Sequence, residues 1–181
     1  MANTYTGIAT TVLGSATTSV TFSSIPATYT DLLLRIYYRK TTGGGSTGDI
    51  EVRVNNNTGA VYAGITVANA SGTTLTTPYL NQQNTYSTAY GFTSSSNIGG
   101  SASPNSFNFC DFYFANYQNT TGRKGLWLHY SNMNYTTNQS WNGMTGWNVN
   151  DSAAITSLVV TGNTDTLTAG SEFWLYGIKN S

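Results

Sequence analysis

The chain has 181 residues, a formal net charge of zero and only 8% charged residues, against a usual ~25%. Seven basic residues balanced by seven acidic ones leave no basic stripe for a run of phosphates, which speaks against nucleic-acid binding. Aromatic residues reach 13%, with 13 tyrosines, so the low charge does not signal disorder, and no stretch approaches the ~20 apolar residues that a membrane-spanning helix needs.

In chain order, alternation of apolar and polar residues recurs and helical periodicity is missing. Residues 1–18 read as an edge strand or an arm. Val20 and Phe22 share one face of a short strand. Leu32, Leu34, Ile36 and Tyr38 form the inner face of the next, with Arg35, Tyr37 and Arg39 opposite. Gly43 to Gly48 make a hairpin tip, after which Ile50, Val52 and Val54 point one way and Glu51 and Arg53 the other. Asn57-Thr58-Gly59 and Asn119-Thr120-Thr121-Gly122 supply turn residues that tolerate positive φ. Residues 55–105 carry weak periodicity. Beyond them, Cys110, Phe112 and Phe114 share a face, as do Leu126, Leu128 and Tyr130. Ile155 to Val160 reads as a strand whose phase slips once, and Phe173 to Ile178 is apolar on both faces, which suggests a central strand. One-sided burial on so many short strands predicts a single all-β domain over 1–181. The expected architecture is an antiparallel β-sandwich, jelly-roll-like, with about eight to ten strands and little or no helix.

Residues able to carry chemistry are sparse. His129 is the only histidine, and its strand phase points it outward beside Trp127. The acids are scattered, and Asp31 and Asp49 read as turn residues flanking strands. Cys110, on an apolar face, reads as a small hydrophobe and not a reactive thiolate. No nucleophile motif, calcium loop or phosphate loop occurs, so no enzyme, metal or cofactor is expected. The one suggestive cluster is aromatic. Trp127, Trp141 and Trp147 fall among Gln139, Asn142, Asn148 and Asn150, a composition that suits a packed core, a protein interface or a platform for sugar rings. Trp127, His129, Trp141, Trp147 and Tyr37 are the candidates for interface or glycan contact.

The run from Ser19 to Leu32, containing Thr-Phe-Ser-Ser-Ile-Pro-Ala-Thr-Tyr-Thr-Asp-Leu, resembles the opening of a family of small structural proteins of tailed bacteriophages, many from aquatic hosts. The Leu33–Arg39 strand that follows, and the ending from Leu175 to Ser181, are similar to that family as well. Asn55 to Gly59 looks like the family's Asn-Gly-Asp-Thr-Gly turn but departs from it in the middle residues, and residues 60–105 match only loosely. The resemblance implies a virion component: a capsid decoration or cement protein, or else a tail-fibre or receptor-binding tip engaging a host surface glycan. Its expected partners are the major capsid protein, or tail proteins, and further copies of itself, a trimer by preference, with no nucleic acid and no membrane. The N-terminus shows neither the basic nor the apolar region of a signal peptide, which fits synthesis in the host cytoplasm and residence on the virion.

Overall fold

A computed structural model describes residues 4–41, 50–70, 79–87, 92–94, 106–134, 139–162 and 165–179. Among them lie twelve strands and no helix: β1 (Thr4–Val12), β2 (Ser19–Phe22), β3 (Asp31–Tyr38), β4 (Ile50–Val54), β5 (Tyr62–Ala70), β6 (Tyr79–Ser87), β7 (Phe92–Ser94), β8 (Asn108–Phe114), β9 (Lys124–Asn134), β10 (Gln139–Val149), β11 (Leu158–Thr161) and β12 (Glu172–Lys179). They form an eight-stranded sheet in the order β1-β12-β3-β8-β9-β10-β5-β6 and a four-stranded sheet in the order β2-β11-β4-β7. Every pairing is antiparallel.

Alternation decides which side chains fill the space between the sheets. Leu32, Leu34, Ile36 and Tyr38 of β3, Cys110, Phe112 and Phe114 of β8, and Leu126, Leu128 and Tyr130 of β9 turn inward together, as their spacing predicts. Val20 and Phe22, Ile50, Val52 and Val54, and Leu158 and Val160 meet them from the smaller sheet in one continuous core. The molecule is therefore an all-β antiparallel sandwich.

Several local expectations change. The apparent phase slip near Ile155 is a loop: β11 begins at Leu158, while the buried Ile155 donates its backbone N–H to the Tyr117 carbonyl at 2.9 Å. β12 is flanked on both sides but lies one strand from the sheet edge, next to β1, and is not central. Positive φ falls on Asn55, Asn56 and Asn116, not on Asn57–Gly59 or Asn119–Gly122. Asn57 and Asn119 instead accept the N–H groups two residues on, from Gly59 and Thr121, each at 2.8 Å. Asn55 ties its loop down, accepting from the N–H groups of Thr156 and Ser157 and donating to the Ala154 carbonyl. The Gly43–Gly48 tip, Asp49, Pro78 and Pro104 lie outside the described residues.

Asp31 opens β3 and is buried, where its carboxylate accepts from the Tyr113 hydroxyl at 2.6 Å and the Asn116 N–H at 2.7 Å. It thereby locks the β8–β9 connection against β3, and the Tyr117 phenol after it donates to the Pro26 carbonyl. Tyr62 donates to the Asn57 carbonyl at 2.8 Å and accepts from the Val54 N–H, joining β5 to the end of β4; its burial pushes the phenol up to about 12.

Candidate functional site

The residues between the inward-facing ones populate the outer face of the eight-stranded sheet, and register places them in rows. Glu172, Tyr37, Phe109 and Ser131 form one row across β12, β3, β8 and β9. Trp174, Arg35, Asp111, His129 and Met144 form the next, reaching β10. Tyr176, Leu33, Tyr113, Trp127, Gly146 and Ile65 form a third that extends to β5.

Aromatic contacts run along and between these rows. The Tyr37 ring lies 5.1 Å from Phe109 and meets Trp174 edge-on at 5.4 Å. Phe109 meets the His129 imidazole edge-on at 6.4 Å, and Tyr113 stacks on Trp127 at 5.6 Å with 27° between planes. Such pairs contribute about 0.5–1.5 kcal/mol each beyond area burial and hold the rings in fixed orientations. At the centre, Arg35 donates from Nε and Nη2 to the two Asp111 carboxylate oxygens at 2.9 and 2.7 Å, with its guanidinium 5.4 Å from the Phe109 centroid. The hydrogen bond to Asp111 drives the guanidinium pKa above its ordinary value, so Arg35 stays charged in its bidentate pair among the rings.

Of the six most exposed large apolar side chains among the described residues, four stand on this face: Tyr37 (39% exposed), Trp127 (43%), Ile65 (48%) and Met144 (58%). The other two, Tyr5 and Val12, are on β1. Exposed apolar groups gathered on one sheet face, and not scattered singly, mark a contact surface.

The structure thus brings Tyr37, Trp127 and His129 onto one face. It separates Trp147 from them, which corrects its expected role in surface contact. Trp147 alternates inward on β10, is 5% exposed, and packs so closely over Gly64 that a Cβ there would lie 2.5 Å from its Cδ2. The Trp141 backbone pairs with Ala70 and Asn132 within β10, and its side chain lies outside those described. Trp174, Phe109, Tyr113 and the Arg35–Asp111 pair were missed. Their signal is legible all the same: each occupies the outward phase of a strand whose inward phase is plainly apolar.

Several other titratable groups are committed to structure. Asp151 accepts from Asn57 Nδ2 at 3.0 Å and the Ala153 N–H at 2.8 Å, and Asp165 accepts from the Thr41 hydroxyl at 2.6 Å. Glu51 is buried beside Arg53 at 3.6 Å. Cys110 is free and fully buried, and desolvation pushes its thiol pKa well up, away from thiolate chemistry. No group of three or more metal-ligating side chains occurs among the described residues. The arrangement offers stacking surfaces and fixed hydrogen-bonding groups. No protein-family model matches this chain, and no curated protein and no solved structure matches it either.

Proposed function

We propose that this protein is a non-enzymatic structural component of a virus particle, a capsid decoration protein that holds neighbouring shell subunits together. The observation that carries this reading is the open edge at β1. Among the described residues this nine-residue strand pairs only with β12; it contains no charged residue and no proline, and keeps most of its side chains exposed. A long, uncharged, β-branched edge is a hazard in a free monomer and is the feature that strand addition from a neighbouring chain uses. A bulge between Gly7 and Ala9 divides the strand into two pairing stretches, so a partner can engage either.

The strand order supports a jelly-roll reading of the sandwich. Consecutive strands β1 to β4 alternate between the sheets, β7 and β8 lie in opposite sheets, and β11 and β12 do again, with β5–β6 and β9–β10 as added hairpins on the larger sheet. Such a body suits dense display on a shell made from the major capsid protein. Threefold positions on that shell favour a homotrimer. Assembly would follow synthesis in the host cytoplasm. A tail location, as a receptor-binding tip, is the second reading, and the exposed aromatic face favours it.

The test is sedimentation of the purified protein with assembled phage shells across a range of salt, followed by cryo-electron microscopy of the particle. Density repeated at threefold positions, with β1 continuing a shell or sister sheet, is the expected result. Lack of co-sedimentation, with density confined to the tail, overturns the decoration reading.

A further inference from the structure

We propose that the slot between Trp127 and Ile65, floored by Gly146, binds the sugar rings of a neutral polysaccharide. Trp127, Gly146 and Ile65 stand in one register row on adjacent strands β9, β10 and β5. Tyr113, on the β8 side, stacks on one face of the indole. The opposite indole face therefore looks across Gly146, where a Cβ would meet nothing within 4 Å; the same openness holds at Gly125, in the next row. Two strand spacings of about 4.8 Å separate the Trp127 and Ile65 backbones, which leaves about 10 Å between the walls. A pyranose ring lying against the indole needs about 3.5–4.0 Å to each wall, so one puckered ring fits between them.

The chemistry of the walls selects the ligand class. The groove has a volume of about 650 Å³, and no residue lining it carries a charge, so it complements a neutral polyol and offers nothing to a phosphate or a charged peptide. The indole face suits the C–H groups of a sugar ring. The exposed Asn148, paired in register with Gly125 and Ala63, supplies an amide donor and acceptor at the rim for hydroxyls. The volume falls within the roughly 300–1,000 Å³ of ligand sites and leaves room for more than one ring along the strands. The slot belongs to the isolated chain and does not depend on whether the protein sits on the head or the tail. A failure here leaves the decoration reading standing, and the reverse also holds.

The experiment titrates the 181-residue chain with neutral hexaoses of glucose, mannose, galactose and N-acetylglucosamine, following tryptophan fluorescence and calorimetric heat. Saturable binding of at least one, weakened about tenfold or more in both Trp127→Ala and Gly146→Val and unchanged in Tyr37→Ala, is the expected result. Gly146→Val fills the slot without touching the indole's Tyr113 side, and unchanged thermal midpoints in both variants separate lost binding from lost folding. Absence of saturable binding to all four sugars up to about 10 mM overturns the proposal. So does binding that survives both slot substitutions, or burial of Trp127 by a second copy of the chain in solution.

Discussion

Gly64 and Gly146 sit on adjacent strands and make opposite demands. A Cβ at Gly64 would lie 2.6 Å from the Gly146 carbonyl oxygen and 2.5 Å from the Trp147 ring, whereas one at Gly146 would meet nothing within 4 Å. Gly64→Ala is expected to destabilise the fold by about 1–3 kcal/mol, because a backbone oxygen cannot step aside. Gly146→Ala is expected to stay within about 0.5 kcal/mol of the parent. Urea midpoints of the two variants check this, and equal losses would remove the packing argument. Tyr62 carries a pH signature. Its folded-state phenol is held at about 12 against the ordinary 10.0, so the native chain keeps a proton that the unfolded chain releases. That contribution to stability is complete below pH 10 and is lost as pH rises towards 12. Tyr62→Phe should flatten the fall in thermal midpoint over that window, and an unchanged slope would assign it to other groups. Arg35 is 40% exposed and pairs in bidentate fashion with Asp111, which is 13% exposed, so a double-mutant cycle to alanine should give a coupling of about 0.2–1 kcal/mol that shrinks with salt.

At the scale of elements, the two chain ends meet on one sheet edge but contribute differently. β12 supplies the buried Phe173 and Leu175 and separates β1 from β3, so a chain ending before Glu172 is expected to lose its cooperative thermal transition. β1 buries little. The decoration proposal predicts that Thr6→Lys together with Thr10→Lys leaves the thermal midpoint nearly unchanged and abolishes binding to assembled shells, since charge protects an edge from strand addition. Retained shell binding would move the grip elsewhere on the molecule. The strands legible from alternation were those with an apolar inward phase, unbroken in β3 and unbroken after Asn108 in β8. β5 was illegible for a physical reason. Its inward position at Gly64 is empty because the Trp147 ring from β10 fills that space, so the apolar signal sits on the neighbouring strand.

Across the whole molecule, pairing joins residues that are remote in sequence: Thr4 with Lys179, Ser19 with Thr161, and Glu51 with Thr161. Loop-closure entropy must be met before such contacts form, so folding from urea is expected on the slow, roughly millisecond-to-second scale of non-local β topologies. A sub-millisecond main phase in stopped-flow fluorescence would contradict the dominance of these pairings.

By itself, the sequence determined the class of fold, the direction of most side chains and the scarcity of reactive groups, because alternation with a period of two is a local property that each strand carries. It placed Trp127 and His129 outward and Cys110 inward before any pairing was known. Only the tertiary structure decided which strands are neighbours, and through that which outward residues share a surface. Tyr37, Phe109, Trp174, Tyr113 and Trp127 come from β3, β8, β12 and β9, and register alone aligns them. The separation of Trp147 from Trp127 was settled in the same way. The two are not in one strand, and the side of the sheet each faces depends on β10 pairing with β9 in a register that sets Gly146, and not Trp147, beside the exposed indole.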